Sequence, residues 1–469
     1  MKKKYILCLL FLAIVASSCQ KALDLKPTDS ILEEVAITTV SDLEQATLGA
    51  YAALAQENIL YVNTLMSDES RLSNENTGQG QFAYKWQHSS DIGGDDLTAH
   101  WTTSYRVIDR ANKALTAASN MMGTNPADES RKNRFKGELL ALRAIAHFDL
   151  FRLYSKGYEP SDLSVPVVIS PIPADKSAYP SRSTVAQVIA QVKADLTEAK
   201  SLIPASQTDI YRLSRTTVTA TQVRVALYTK NWDEAITLST EVINLVPLAS
   251  RNVYPQIFTD QSNAEVVFKL RRNVSTVRPG DLWQRSSNGD VFYAVSNKLL
   301  QAVNPTADVR YGVLVKINNT KPEKELVNKY PGSTGQVGIQ DIKFYRTSEM
   351  YLIRAEAYAE KGDAASLALA ASDLNTLRNQ RITGNTPMLF TSKAQAIDAI
   401  YAERFVELAY EGHRYFDLRR RNMTITRLSS DLNNAPEAKE LKPDNYRYIL
   451  PIPQVEIFAN KNIEQNPQY

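Results

Sequence analysis

Residues 402–421 read AERFVELAYEGHRYFDLRRR, and how this stretch is taken decides the fold. It sets glutamates, arginines, an aspartate and one of only four histidines among aromatic residues, so it is either a reacting centre or part of the frame. At about 100° per residue, Arg404, Glu407, Glu411, Arg414 and Leu418 share one narrow helical stripe. Ile397, Tyr401, Phe405, Leu408 and Tyr415 make an apolar stripe beside it. The charges therefore run plus, minus, minus, plus along the border of a buried face, where residues three and four apart can pair. That is the pattern of a structural ladder, with His413 at its boundary and Gly412 positioned to end or bend the helix.

Outward from this stretch, helical spacing dominates. Trp101, Tyr105, Ile108, Asn112 and Leu115 fall on one stripe within residues 98–119, behind Asp95 and Asp96 as capping candidates. Residues 138–157, 219–243 and 350–374 share a texture of Ala, Leu, Arg and Tyr at helical spacing. In the last of these, Ala355, Tyr358 and Gly362 suit the close first helix and turn of a tetratricopeptide-like hairpin. The copies are not contiguous, which implies a helical frame with long insertions. Five prolines from Pro160 to Pro180 exclude a helix there, and residues 261–345 read as loops with a few short strands such as EVVFKL. The tail from Tyr446 to Tyr469 is irregular in the same way.

The first residues, MKKKYILCLLFLAIVASSC, combine a basic start, a short apolar run and small residues before Cys19. The run is too short to span a bilayer well, so it reads as a secretory signal. Ala16, Ser17 and Ser18 before Cys19 resemble a bacterial lipobox, in which the cysteine is lipidated and becomes the first residue. The other cysteine, Cys8, lies inside the signal and leaves Cys19 no disulfide partner in the mature chain. Removing Lys2, Lys3 and Lys4 from the 54 Lys and Arg leaves 51 against 51 Asp and Glu. Such a balance argues against a nucleic-acid partner, which demands a basic stripe.

Catalytic signatures are absent from the sequence. It has no Gly-rich phosphate loop, no Gly-x-Ser-x-Gly elbow and no His-Glu-x-x-His zinc helix. Four histidines and no usable thiol argue against transition-metal chemistry, and no cofactor is expected. Asp91, Asp95 and Asp96 could approach a calcium ion but lack the spacing of an EF-hand loop. A pair of glycosidase carboxylates stays open on sequence alone.

The residues ERFVELAYEGHRYFDLRR resemble the C-terminal hallmark of the SusD/RagB family. FYRTSEMYLIRAEAYAEKGD (344–363) is similar to the helical pair that precedes it there, HWTTSYRVIDRANKAL (100–115) to the N-terminal Trp-Tyr-Ile-Asn helix, and LPIPQVEIFANKNIEQNPQY (450–469) to the family's ending. The resemblance implies a mostly α fold in which tetratricopeptide-like hairpins support a loop-rich ligand face, with a few short strands. It also implies a non-catalytic lipoprotein of the outer membrane, facing the cell surface. Such a protein binds an oligosaccharide, or a peptide in RagB-like members, beside a SusC-like TonB-dependent transporter that imports it. Residues 1–18 are then the signal, 19–40 a lipidated tether and 41–469 one domain, divided near 260 and 345 into a helical part, a ligand-face insertion and a C-terminal part.

The resemblance carries no ligand motif, so the site is argued from chemistry. Sugars offer apolar C–H faces and many hydroxyls, which call for exposed aromatic rings beside amide, acid or arginine side chains. The family's site draws on the insertion before the Trp-Tyr-Ile-Asn helix and on mid-chain loops, here 74–87 and 278–293. Phe82, Tyr84 and Trp86 alternate, and an extended segment would put them on one face, with Asn74, Asn76 and Gln81 as polar partners. Trp86 and Trp283 are the leading aromatics, Tyr293 and Arg285 secondary; Trp101 and Trp232 lie in helical patterns and read as core.

Overall fold

Side-chain caps and small residues set where the helices begin and how they turn. A computed structural model describes residues 36–92, 95–172, 179–333 and 335–469. The signal, Cys19 and most of the tether lie outside the described residues. The described part opens with α1 (Val40–Ala52) and α2 (Gln56–Met66), strand β1 (Ser70–Leu72) and the single turn α3 (Gln81–Tyr84). Two long helices follow, α4 (Asp95–Ser119) and α5 (Pro126–Tyr154), then α6 (Val185–Leu202), α7 (Arg215–Tyr228) and α8 (Trp232–Leu245). Asn125 caps α5 by accepting from the N–H of Asp128, with proline at the first helical position, and Thr184 and Gln187 form a capping box on α6.

The α4 stripe turns inward as its spacing requires, and its polar member has a defined task. Asn112 donates to the carbonyls of Val168 and Ser170 at 3.1 and 3.2 Å, while Tyr105 donates to that of Pro166 at 2.9 Å. The proline-rich segment is thus fastened to α4 in extended form, with no helix in its described part.

The middle of the chain supplies β2 (Val266–Leu270), β3 (Tyr293–Val295), β4 (Val315–Ile317), β5 (Glu325–Val327) and β6 (Ile342–Arg346). β1 joins β3, β5 and β4 in an antiparallel sheet of order β1-β3-β5-β4, and β2 pairs antiparallel with β6. Short helices at Asn297–Ala302 and Arg310–Leu314 lie in the same region, which the sequence reads as loops and strands alone. The C-terminal part holds α9 (Thr347–Lys361), α10 (Ala364–Asn379), α11 (Lys393–Glu407), α12 (Arg414–Arg420) and the short α13 (Gln454–Ala459). Gly362 takes the left-handed conformation, φ +77°, that closes the α9–α10 hairpin, and Asp363 caps the second helix.

The opening stretch is not one helix. α11 ends at Glu407, Gly412 has φ +81°, and a Cβ there would lie 2.7 Å from Cγ2 of Ile59. Arg414 and Leu418 therefore belong to α12, and the single charged stripe breaks as its glycine allows. The ladder residues also sit deeper than the border of a buried face, since Arg404, Glu407, Glu411 and Arg414 are all buried. Their partners come from other elements instead of neighbouring turns of the same helix. Arg404 pairs with Asp417 at 2.8 Å and Arg414 with Asp68 at 2.7 Å. Glu407 receives three guanidinium groups, those of Arg346, Arg381 and Arg310, at 2.9, 3.1 and 3.2 Å. Glu411 meets Arg346 and Lys329, each at 2.7 Å. Burial alone would raise the Glu407 carboxyl, but Arg381, Arg346 and Arg310 outweigh it and hold it well below the usual range. One apolar cluster runs from Val40 to Ile463, and a second fills the space among α9, α10 and α11.

Candidate ligand-binding face

The two segments chosen from sequence come together although about two hundred residues separate them. Glu75 accepts from the N–H of Val291 at 2.8 Å and from Lys321 at 3.3 Å. Tyr293 donates its hydroxyl to the carbonyl of Gln79 at 2.5 Å, and Asn76 donates to that of Phe292 at 3.4 Å. Arg71 on β1 pairs with Glu323 and Glu325, both at 2.9 Å. Residues 73–92, 283–292 and 318–325 are thus three interlocked segments that continue from the strand ends of the four-stranded sheet.

Most of the expected aromatic platforms are interior. Phe82, Tyr84 and Trp86 do not share a face, because Gln81–Tyr84 is a helical turn and not a strand. Tyr84 and Trp86 point inward, where Arg427 lies over their rings at 3.7 and 4.2 Å. That guanidinium donates to the carbonyls of Leu65, Ser67 and Tyr84. Both rings therefore hold a buried arginine that fastens the end of α2 to the C-terminal part. Trp283 stacks on Tyr330 at 5.6 Å with 4° between the planes and meets Tyr410 edge-on. Tyr293 packs against Tyr84 at 5.5 Å. All four are buried, so the expectation of exposed rings at Trp86, Trp283, Tyr84 and Tyr293 is corrected. Asn76 and Gln81 bond within the loop, Gln81 to the Asn76 carbonyl at 2.6 Å.

Phe82, Asn74 and Arg285 remain. Phe82 is 52% exposed. Asn74 is exposed, and its side chain makes no hydrogen bond among the described residues. Arg285 is exposed, lies over the Phe292 ring at 5.1 Å and meets no carboxylate among the described residues. One apolar ring, one amide and one guanidinium are thus left exposed on these segments. Glu75 and Lys321 tie this face together and escaped the sequence reading, because their contact joins loops 246 residues apart.

Just before β1, two adjacent buried carboxyl groups behave in opposite ways. Burial pushes Glu69 up to about 8, opposed by the N–H of Tyr410 at 3.2 Å, and its other oxygen has no hydrogen-bond partner. Asp68 is as deeply buried, yet Arg414 and Lys298 outweigh the burial and hold it well below the carboxylate range. Among the described residues, no group of three His, Cys, Asp or Glu could hold a metal ion; the side chain of Asp95, one of the three calcium candidates, lies outside them. Nor is any helix among them long and apolar enough to cross a membrane.

Comparison with known proteins places this architecture. A model described as the SusD family matches residues 217–469, more than half of the chain. The chain belongs to the SusD family. A second model, described as "Starch-binding associating with outer membrane", matches residues 21–227. A SusD-like protein of Formosa agariphila is 24% identical, the alignment covering 100% of each chain. A SusD superfamily protein of Bacteroides thetaiotaomicron superposes with a TM-score of 0.80 at 26% identity, over 92% of this chain and 100% of that one. A laminarin-binding SusD-like protein superposes with a TM-score of 0.71 at 21% identity, again over 92% and 100%. The SusD fold is accordingly the one expected, mostly helical with hairpins carrying loop-rich insertions and few short strands.

Proposed function

We propose that this SusD-family protein binds an oligosaccharide on the face formed by residues 73–92, 283–292 and 318–325, and does so without cleaving it. The observation that carries the reading is the set of Asn74, Phe82 and Arg285, three exposed side chains of complementary chemistry on interlocked loops. An aromatic ring stacks on the C–H face of a sugar, while the amide and guanidinium serve its hydroxyls. The description of the matching N-terminal family as starch-binding, and the laminarin-binding relative, support a glycan over other ligands. In this reading Cys19 carries a lipid that holds the protein at the outer membrane, facing outward. The bound sugar then passes to a SusC-like TonB-dependent transporter.

Calorimetric titration of the intact protein with a panel of neutral oligosaccharides tests this. Phe82→Ala is expected to weaken binding about tenfold or more, with an unchanged melting temperature because the ring is exposed. Equal affinity in Phe82→Ala and Asn74→Ala would remove the face. Binding of peptides with no response to any glycan would replace the ligand class, and appearance of shortened sugars would make the protein a hydrolase.

A further inference from the structure

A concavity lies apart from the exposed residues of this face. A cleft of about 790 Å³ lies between the end of α1, the turn at residues 209–212 and the loop 271–277, and its volume suits a small ligand. It adjoins the start of α2 at Glu57, whereas the face begins beyond the end of that helix, and none of Asn74, Phe82 and Arg285 lines it.

The charged groups of the cleft differ in how far they are already bonded. Arg272 is engaged by Glu57, with Nη2 to Oε2 at 2.8 Å. Arg212 donates its Nε to Glu138 at 2.7 Å and lies 5.3 Å from the Tyr51 ring centre, but its Nη2 is buried with no acceptor. Arg271 is exposed, sits over the Tyr211 ring at 4.1 Å and meets no carboxylate among the described residues. Of the acids nearby, Glu57 is paired with Arg272, while the exposed Asp209 accepts from the N–H of Tyr211 at 2.9 Å. Tyr211 is itself fixed, its hydroxyl donating to Asp341 at 3.0 Å. The lining also holds apolar side chains, among them Leu54, buried, and Val277, 62% exposed.

Two phenol rings, apolar side chains and the exposed Arg271 guanidinium, which meets no carboxylate among the described residues, fit a ring with C–H faces that also bears a negative charge. We infer that the cleft is a second sugar subsite, selective for a sugar unit carrying a carboxylate or a sulfate ester. The inference rests on the oligosaccharide reading above but concerns different residues, so the two can fail separately.

The intact protein is titrated with trigalacturonate, with its neutral methyl ester and with a sulfated galactose trisaccharide. The expected result is an acidic probe binding about tenfold tighter than the neutral ester, and whichever acidic probe it is identifies the anion. Arg271→Ala, and Ala52→Trp on the cleft wall, should each erase that preference, while Phe82→Ala keeps it. Equal affinity for charged and neutral probes overturns the inference, as does a preference that survives both cleft substitutions. A preference lost in Phe82→Ala and kept in Arg271→Ala would move the charge site to the face. Arg271-dependent binding of a peptide carboxylate, with no acidic sugar bound, would also refute it. Neutral glycans bound through Phe82 with no charge preference would end this inference and leave the proposed function standing.

Discussion

Asp68 and Glu69 follow one another in the chain and are equally buried, yet one is held as an anion and the other pushed toward its neutral form. The difference lies in their partners: Arg414 and Lys298 reach Asp68, while Glu69 has the N–H of Tyr410 and an oxygen without a hydrogen-bond partner. A carboxyl raised from 4.5 to about 8 binds its proton more tightly in the folded state. Its contribution to stability is therefore complete below about pH 4.5 and is lost as pH rises through about 8. Glu69→Gln keeps shape and neutrality, so it should remove up to about 3 kcal/mol of pH dependence between roughly pH 5 and 7.5. Parallel thermal melts for both proteins across that window would refute this. The window stops short of the range where burial, having pulled the Lys329 ammonium down to about 8, makes that group act in the opposite sense. Little of this is legible in the sequence, where residues 68 and 69 are simply two acids. The same limit explains Trp86 and Trp283: residue type shows a ring that can stack, but a buried arginine or a second ring supplied by a distant segment decides where it points.

Elements were more legible than single residues, because periodicity is a local property. The α4 stripe and the α9–α10 hairpin follow from spacing and from Gly362. The segment holding Phe82, Tyr84 and Trp86 did not, since a four-residue helix has too few hydrogen bonds to announce itself in sequence and is held by tertiary contacts with Arg427. Gly412 is the instructive case between these two. It marks the break between α11 and α12, where left-handed backbone and the approach of Ile59 both exclude a side chain. Gly412→Ala is expected to cost about 1–3 kcal/mol in urea denaturation. Measured against Ile59→Ala alone, the double variant Gly412→Ala/Ile59→Ala, which lacks the Cγ2 that the new Cβ would meet, should recover only the steric part, and a neutral Gly412→Ala would show that the turn re-forms elsewhere.

At the scale of the whole molecule, the buried charges around Glu407 join segments that the sequence cannot connect. Glu265 before β2, Arg310, Lys329, Arg346 on β6 and Arg381 after α10 all meet there with Glu407 and Glu411. The alternation of sign in residues 404–414 showed that pairing was to be expected, but not that every partner would be tertiary. Glu407→Gln leaves three guanidinium groups short of charge and should cost about 3–5 kcal/mol, with tryptophan fluorescence and far-UV dichroism losing structure together. A loss below about 1 kcal/mol would reduce the cluster to a passive filling. Lys230→Ala, which removes the exposed pair with Glu159, serves as the control and should change little.

Because these charges are enclosed, dissolved ions cannot gather around them as they do around exposed groups. Sodium chloride thus becomes a probe that separates frame from surface. Raising it should leave the unfolding transition almost where it was, while any ligand held by Arg271 at the cleft loses affinity with each increment. A frame so insulated lets the protein keep one shape across media of very different salinity, with only its outward contacts responding to the change.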